Sequence, residues 1–439
     1  MKKCVYFSFA AFLAIILMSL SPVRAEDRAL LIGVGTYQHP KINLPGIGKD
    51  ITMMKEVADL MGFSQIKILR DNEATLNKIE QTIEEWLVQK TTKDDRVLIY
   101  FSGHGSQIRD TDGDEKDNVD EVLLPHDMRV QGKTLVNTFV DDKFSEYLNA
   151  IKAGEIFVFI DACHSGTAIK AMSSEVTKFF KYPGVPLAKE IYAEEETSKH
   201  EKYISLSACQ DNEESVATGA GSLFTRGILN AARKASENNA KLSIKQLRPR
   251  TETYIRQHIS DLTRVYHPNI FGDKTLEDKN LLPGIWSRIE TLADNASYKV
   301  SVRTNQERQK LGDLLVISCD VKKDGYLNIL SATRGDNDAT VLFPNKYHKD
   351  NYVKAGTQVT IPSGTEFKLP ARPPAGRNII AVFHTKKKID VYHGKDPSDD
   401  LFMTLSEHAF EKIFKDYRTE EKKRDKTFGA GKIFTYVEE

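Results

Sequence analysis

Two short segments of the sequence end in residues that can perform nucleophilic catalysis. One reads Phe-Ser-Gly-His-Gly and places His104 between two glycines after an apolar run. The other reads Ile-Asp-Ala-Cys-His-Ser-Gly and places Cys163 after a second apolar run. Histidine is the side chain best suited to proton transfer near neutral pH. Because a thiolate beside an imidazole is an activated nucleophile, the two segments predict a cysteine hydrolase with His104 and Cys163 as its catalytic pair.

Each residue also has a structural interpretation when it is taken alone. A histidine at the end of a strand is more often structural than catalytic, and a buried cysteine usually packs as a small apolar residue. His164 is an alternative base, although it follows the cysteine directly and would point in a different direction. The presence of both motifs favours catalysis, provided that the preceding strands are neighbours.

The elements that would position this pair are visible in the apolar pattern between residues 28 and 273. Five short apolar runs predict strands at residues 29–34, 66–69, 97–101, 156–160 and 203–206. Amphipathic stretches with helical spacing separate several of them. Strands that alternate with helices predict an α/β fold, with a mostly parallel sheet flanked by helices. In such sheets the functional site lies beyond the carboxyl ends of the strands, where His104 and Cys163 are expected to meet.

The two motifs, together with the loop DTDGDEKDNVDEVLLPHD and the segment LSACQDNEES, resemble the metacaspase branch of the caspase clan. Asp161 stands where true caspases carry Gln. The resemblance implies a caspase-like sandwich and a cysteine endopeptidase. In it Cys163 attacks the peptide carbonyl, His104 protonates the leaving amine, and the N–H groups of Gly105 and Cys163 stabilise the oxyanion.

The resemblance also implies cleavage after Arg or Lys. A cation enters a buried pocket only when carboxylates pair with it. Asp161 and Asp50 are the candidate carboxylates, Ser102 would add a hydrogen bond, and Asp211 or a neighbouring acid is a candidate for the pocket rim. Ile47 stands where the family usually has cysteine. Asp50 can also be interpreted as a charge that stabilises a helix N-terminus.

No cofactor is required for this chemistry, but calcium is a possible activator. Asp120, Asp141 and Asp142 match aspartates that bind the ion in calcium-activated relatives, and carboxylate oxygens suit calcium. A further family aspartate is replaced by Lys170, whose charge opposes metal binding. The Asp-rich loop at residues 110–117 lacks the closing Glu of a calcium loop. These aspartates therefore have two interpretations, a site for calcium activation and a solvated acidic surface, and the sequence does not decide between them.

The first 25 residues predict a secretory signal peptide, cleaved after Ala25. Lys2 and Lys3 precede an apolar stretch that Pro22 interrupts. The apolar stretch is shorter than the ~20 residues of a spanning helix, which disfavours the alternative of a membrane anchor. We therefore expect an exported bacterial protein, periplasmic or extracellular, with no transmembrane span after signal removal.

Three cysteines remain beyond the signal, namely Cys163, Cys209 and Cys319. This odd and sparse set is not a disulfide framework. Cys209 follows the fifth predicted strand, close to the expected site. A regulatory disulfide between Cys163 and Cys209 is therefore one hypothesis to test.

The chain is predicted to contain a signal peptide (1–25), a caspase-like peptidase domain (26–285), an all-β accessory domain (295–393) and a helical, charged C-terminal tail (394–439). Segments such as DGYLNIL and PAGRNIIAVF make the accessory domain resemble a bacterial domain of unknown function. Binding to an envelope partner and a passive structural role are both open for it. Lys plus Arg and Asp plus Glu number 62 each, which gives no indication of nucleic-acid binding.

The expected substrates are peptides or proteins with Arg or Lys before the cleaved bond. The long connection at residues 167–201 carries several lysines, so we expect self-cleavage within it. Two other functions stay open: a non-catalytic caspase-fold scaffold that acts through its β domain, and a cysteine hydrolase of non-peptide amides.

Overall fold

A computed structural model describes residues 26–109, 119–163, 176–180, 201–210, 213, 215–238, 240–260, 266–334, 336, 338–373, 375–394, 401–423 and 427–438. The predicted signal peptide, the Asp-rich loop, His164, Lys170 and Asp211 lie outside these residues. The chain divides into two compact units. The first takes in residues 26–55, 63–225 and 259–273, and the second takes in residues 56–62, 226–258 and 274–438.

The strands up to residue 272 are β1 (Arg28–Gly33), β2 (Gln65–Arg70), β3 (Arg96–Ser102), β4 (Gly105–Arg109), β5 (Val119–Leu123), β6 (Arg129–Gln131), β7 (Thr134–Val136), β8 (Phe139–Val140), β9 (Glu155–Asp161), β10 (Val176–Thr177), β11 (Ile204–Ser207), β12 (Val216–Ala217) and β13 (Asn269–Gly272). The helices in this part of the chain are α1 (Ile47–Leu60), α2 (Leu76–Thr82), α3 (Asp141–Ala150), α4 (Leu223–Glu237) and α5 (Ile244–His258).

The first unit is built around a six-stranded sheet in the order β13-β11-β9-β3-β1-β2. Its pairings are parallel except for the antiparallel edge strand β13. All residues of β1 and β3 are buried, which explains why these strands are continuous apolar runs rather than alternating ones. The five predicted strands and the mostly parallel α/β sheet are confirmed.

The second unit contains α6 (Ile285–Asp294) and α7 (Glu407–Glu421), and its strands are β14 (Tyr298–Lys299), β15 (Ser301–Thr304), β16 (Arg308–Lys310), β17 (Ile317–Asp320), β18 (Gly325–Thr333), β19 (Ala339–Phe343), β20 (Tyr352–Val353), β21 (Gln358–Ile361), β22 (Gly376–Thr385), β23 (Met403–Leu405) and β24 (Gly429–Glu438). The main sheet runs in the order β14-β24-β22-β18-β19-β23, and a second sheet runs β15-β17-β21. The region is sheet-rich as predicted, but two helices belong to it.

The predicted tail of residues 394–439 contributes to this fold. Strand β24 pairs with β22 along nine residues, and Phe428 is completely buried in one core with α6 and α7. The helix predicted at residues 401–414 begins later, because Ser406 caps it by accepting a hydrogen bond from the N–H of Ala409. Among the described helices, none is long and apolar enough to cross a membrane.

Candidate active site

The candidate site lies at the carboxyl ends of the neighbouring strands β3 and β9. Their register pairs Ser102 with Asp161, the last residue of each strand. His104 and Cys163 therefore each follow two residues after the end of their strand, at the same edge of the sheet. The structure brings both motifs together through strand adjacency rather than sequence proximity.

The His104 side chain is held in one orientation by the chain's own backbone. Its Nε2 atom lies 2.8 Å from the carbonyl oxygen of Ile42, and its backbone N–H donates to the Tyr37 hydroxyl at 2.8 Å. A carbonyl oxygen can only accept, so Nε2 carries the proton and Nδ1 keeps its lone pair. Nδ1 has no hydrogen-bond partner among the described residues. This tautomer makes Nδ1 the atom that can take up a proton.

Burial sets the protonation state of this imidazole. Burial lowers the pKa of His104 from 6.5 to about 4, against a smaller opposing effect from its contact with Ile42. The glycine before it allows a close approach, since a Cβ on Gly103 would stand 3.1 Å from the Tyr37 hydroxyl. At neutral pH the imidazole is therefore neutral and able to act as a base.

Cys163 is completely buried and makes its contacts to Ser215 and Cys209. The Ser215 N–H donates to the sulfur at 2.7 Å, and the Ser215 hydroxyl oxygen lies 3.3 Å from it. The Cys209 sulfur is 3.6 Å away. No hydrogen bond joins Cys163 to His104 among these described residues. The two catalytic candidates share one sheet edge without touching through a hydrogen bond.

Beneath this edge lies a buried acidic pocket that contains a lysine. The ammonium of Lys178 is 2.9 Å from an Asp161 oxygen, 3.3 Å from an Asp50 oxygen and 2.9 Å from the Ser102 hydroxyl. None of these four side chains has exposed surface. The structure therefore brings together the three residues that the sequence predicts for cation binding, around a cation supplied by the chain itself.

Both carboxylates are anchored by groups on the loop before α4 and on α4 itself. The second oxygen of Asp161 accepts hydrogen bonds from the Ser222 hydroxyl and from the Thr225 hydroxyl, the latter at 2.7 Å. An Asp50 oxygen accepts from the Ser222 N–H at 2.7 Å. These bonds fix the pocket's charge in place, because each carboxylate has a donor on the side away from the lysine.

The charges in this pocket depend on one another. Burial raises the pKa of Asp50, while the nearby Lys178 partly offsets this by favouring the ionised form. Burial also disfavours the ammonium of Lys178, but Asp161 and then Asp50 outweigh that cost and hold its pKa above the ordinary value. The cation of Lys178 thus favours the ionised form of Asp50.

The segment that carries Lys178 lies in the site as an extended strand. Its residues Val176 and Thr177 (β10) pair antiparallel with β12, and the Lys178 N–H donates to the Ser215 carbonyl oxygen at 3.1 Å. The Gly105 N–H donates to the Lys178 carbonyl oxygen at 2.9 Å. Backbone pairing on one side of the lysine and a donor on its carbonyl match what a peptide substrate needs.

The segment continues past the lysine along β4. The Phe180 N–H donates to the Gly105 carbonyl oxygen at 2.8 Å, and the Ser106 hydroxyl donates to the Phe180 carbonyl oxygen at 2.7 Å. The Phe180 ring lies 6.2 Å from the His104 ring. The segment is therefore hydrogen-bonded on both sides of the bond between Lys178 and Phe179, and its Phe180 ring lies beside the His104 ring.

Several residues of the site were missed by sequence reasoning. Lys178 is one of several lysines in a long connection. The residue type is the same for all of them, so the sequence does not show which lysine is buried. Ser222 and Thr225 are ordinary residues at the start of a helix. The Ile42 carbonyl has no sequence signature, because any residue supplies one. The extra acid considered for the rim, Asp211, lies outside the described residues.

The proposed calcium ligands are not gathered into a site. Asp120 lies on β5, and Asp141 and Asp142 form the first turn of α3. Over the part of the chain that the structure describes, no group of three or more His, Cys, Asp or Glu residues is arranged to hold a metal ion. No catalytic step is therefore assigned to the ion. Calcium activation stays a prediction.

Residues 26–269 match the caspase domain family, and residues 309–388 match a domain of unknown function, DUF4384. Metacaspase-1B of Aspergillus clavatus is 34% identical over 159 residues, covering 34% of this chain and 37% of that protein. Metacaspase-3 of Arabidopsis thaliana is 34% identical over 154 residues, covering 33% of this chain and 41% of that protein.

The chain thus spans about two fifths of the length of these relatives. Among solved structures, protein GSU0716 of Geobacter sulfurreducens matches with 22% identity and a TM-score of 0.42, over 58% of this chain and 97% of that one. Caspase-1 of Spodoptera frugiperda matches with 14% identity and a TM-score of 0.39, over 56% and 86%. The resemblance to metacaspases, followed by a domain of unknown function, is confirmed.

Proposed function

The chain belongs to the caspase domain family, and from this premise we propose that it is an exported cysteine endopeptidase that cleaves after Lys or Arg. The observation that carries the proposal is the buried contact of Lys178 with Asp161 and Asp50. A primary amine already satisfies this pocket, and a guanidinium carries the same charge with more donors. An acidic side chain would instead add a third carboxylate to a buried site that already holds two.

The catalytic cycle follows from the positions of the side chains. The Cys163 sulfur bonds to the carbonyl carbon of the Lys or Arg residue, and the negative charge moves to the carbonyl oxygen. The Gly105 N–H points at that oxygen and stabilises the charge, with the Cys163 N–H as the second expected donor. Collapse of this intermediate breaks the C–N bond and leaves a thioester on Cys163.

His104 serves the proton transfers in this cycle. Its Nδ1 atom takes up the thiol proton and delivers it to the leaving amine, while Nε2–H stays bonded to the Ile42 carbonyl oxygen. In the second half, Nδ1 accepts a proton from the water that attacks the thioester, and acid and free thiolate are released. The fixed tautomer spares the ring a reorientation between the two steps.

The proposal is tested with fluorogenic peptides that differ in the residue before the reporter. Matched peptides ending in Arg, Lys and Asp are incubated with wild type and Cys163→Ala under reducing conditions, with calcium and with a chelator. We expect cleavage of the Arg and Lys peptides by wild type and none by the variant. Cleavage of the Asp peptide alone, or equal rates for both proteins, overturns the proposal. The chelator arm measures calcium activation separately.

A non-catalytic scaffold is the second candidate, and one observation favours it. Cys163 and His104 are both buried, with residues 176–180 seated in the site. A peptidyl-Arg chloromethyl ketone separates the two functions, because it alkylates a competent and accessible cysteine. Stoichiometric labelling of Cys163 supports the enzyme. An unlabelled Cys163 in a folded chain, after prolonged incubation, supports the scaffold.

Export and partner binding are further parts of the proposal. The signal-like sequence of residues 1–25 supports export to the periplasm or beyond. Cell fractionation combined with N-terminal sequencing tests it, with Glu26 as the expected first residue. The sheet-rich second unit is proposed to bind a component of the cell envelope. Cross-linking in intact cells tests this, with a chain that lacks residues 274–438 as the control.

A further inference from the structure

We propose that Cys163 and Cys209 form a peroxide-responsive modification site, in which the Cys209 thiol resolves an oxidised Cys163 as a disulfide. The proposal rests on the proposed function in one respect: the sulfur that attacks peptides is the one that reacts with peroxide. The proposed catalytic cycle uses His104 and Cys163, and Cys209 has no role in it.

The sheet topology places the two sulfurs together. Strands β9 and β11 are parallel neighbours, with Ile160 paired to Ser207, and the Ala208 N–H donates to the Ile160 carbonyl oxygen at 2.8 Å. Each cysteine follows two residues after the end of its strand. Their sulfurs are 3.6 Å apart, so a disulfide of about 2.05 Å needs an approach of roughly 1.5 Å. Loops after strand ends can supply such a movement.

The surroundings of the two thiols divide the roles between them. The Cys209 thiol donates toward the Cys163 sulfur, and this contact together with burial raises the pKa of Cys209 well above its ordinary value. Cys209 therefore stays a protonated thiol. The Cys163 sulfur accepts a hydrogen bond from the Ser215 N–H at 2.7 Å and lies 3.5 Å from the Ser215 carbonyl oxygen, and in the proposed function it is the nucleophile. We therefore assign Cys163 as the sulfur that the peroxide oxidises, and Cys209 as the sulfur that then forms the disulfide with it.

The chemistry balances with a peroxide as the oxidant. The Cys163 thiolate attacks one peroxide oxygen and the O–O bond breaks, which leaves a sulfenic acid on Cys163 and an alkoxide or hydroxide that takes up the proton given up by the thiol and departs as alcohol or water. The Cys209 sulfur then attacks the Cys163 sulfur, an S–S bond forms, and the sulfenic oxygen leaves as water with the thiol proton. The two thiols have lost two electrons and the peroxide has gained them. A dithiol reductant reverses the reaction.

The segment of residues 176–180 lies close to the pair, because the Lys178 N–H donates to the carbonyl oxygen of Ser215, whose own N–H donates to the Cys163 sulfur. Cys163 has no exposed surface and Cys209 is 7% exposed while that segment lies in the site. Peroxide is therefore expected to reach Cys163 after the segment has left, by cleavage or by displacement. A Lys178→Ala chain, which lacks the buried ion pair that holds the segment, offers the same access without cleavage.

The experiment treats wild type and Lys178→Ala with hydrogen peroxide, blocks free thiols, and maps peptides by mass under non-reducing conditions. The expected product is a linked pair of peptides containing Cys163 and Cys209, lighter by about 2 Da than the two thiols, which disappears on reduction. This readout does not depend on peptidase activity. A failure of the proposed function and a failure of this inference are therefore distinguishable.

Two variants sharpen the test. With Cys209→Ser, Cys163 is expected to pass to the irreversible sulfinic acid, and the fraction of Cys163 recovered as free thiol after reduction, measured by mass, falls to about a tenth of the wild-type recovery or less. Cys319→Ser, a buried cysteine in the second unit, is expected to behave as wild type. If the Cys209 thiol stays free in both chains while Cys163 is oxidised, the proposal is wrong. If Cys209→Ser recovers as fully as wild type, it is also wrong.

Discussion

The Lys178 ammonium and the Asp161 carboxylate form an ion pair, 2.9 Å long, in which neither side chain has exposed surface. Two carboxylates surround one ammonium, so the group as a whole carries a net negative charge when all three are ionised. Loss of one partner from such a buried pair typically costs 3–5 kcal/mol, because the other charge is left without compensation. Under the proposed function, we expect this group of carboxylates to favour a cationic side chain and to be less stable when no cation occupies it.

The first prediction concerns the pocket acids. Asp161→Asn is expected to lower kcat/KM for Lys and Arg peptides by about 100-fold or more, because a transferred cation loses its nearest partner. Steady-state kinetics on matched peptides measure the loss. Asp59→Asn, an exposed acid of α1, is the matched control and should have no effect. An unchanged kcat/KM in a folded Asp161→Asn chain contradicts the assignment of the pocket.

The second prediction concerns the chain's own segment. Because Lys178 occupies the pocket and its carbonyl faces the Gly105 N–H, the bond between Lys178 and Phe179 is expected to be cut by the enzyme itself. Intact-mass analysis should find this cut in wild type and Lys178→Arg, and should not find it in Lys178→Gln or Cys163→Ala.

Lys202→Gln, at an exposed lysine just beyond the same connection, is the control for the loss of a charge and should be cut like wild type. A wild-type chain that hydrolyses Arg peptides yet stays whole at residue 178 would show that the segment is an inhibitor rather than a substrate.

The third prediction concerns pH. His104 has a pKa of about 4 in the folded chain and 6.5 as its ordinary value, so the unfolded chain binds a proton that the folded chain does not between these pH values. The contribution of His104 to the free energy of unfolding is therefore fully present above pH 6.5, and it is lost as the pH falls from 6.5 towards 4. Between pH 7 and pH 5 the loss is about 2 kcal/mol.

Urea unfolding followed by Trp86 fluorescence, in a Trp286→Phe background, measures this loss in the first unit. His104→Asn should remove that part of the pH dependence, because asparagine does not titrate. His126→Asn, at a half-buried histidine of the same unit, is the control. Equal slopes in the wild-type and His104→Asn backgrounds would refute the stated cause.

The fourth prediction concerns Tyr37, a positioning residue. Tyr37→Phe removes the oxygen that accepts the buried His104 N–H, at an expected cost of about 1–3 kcal/mol in unfolding free energy. Since the residue touches no substrate atom, kcat should fall while KM changes little. Kinetics and urea unfolding check both effects, with the half-exposed Tyr147→Phe as the control. A fall in stability with an unchanged kcat would assign Tyr37 a structural role alone.

Sequence patterns could predict the strands and the residues that follow them. The strands β1, β3 and β9 are buried on both faces, so their apolar runs stand out, and His104 and Cys163 follow them directly. Asp50, Ser102 and Asp161 were assigned to one pocket from the family resemblance. Their contact with the Lys178 ammonium depends on tertiary structure, because the order of the strands in the sheet brings these residues together.

The remaining features depend on contacts that no local pattern encodes. The burial of Lys178 is decided by β10–β12 pairing, with partners 40 residues apart in the chain. The tautomer of His104 is decided by the main chain at Ile42. The sequence pattern does not predict strand β24, because the Lys-rich stretch before it dominates the composition of the C-terminus. Its pairing with β22 is what brings it into the sheet.

Strand β24 also determines when the second unit can be completed during synthesis. It contributes the last described residues of the chain, yet it pairs with β14 and β16 near the start of the unit as well as with β22. The sheet therefore stays open until the final ten residues of this strand have left the ribosome, and β14 and β16 wait for a partner more than 120 residues downstream. Under the export that we propose, this late closure would keep the second unit unfolded until β24 has been made, and an unfolded chain is the form that can pass through a narrow translocation channel.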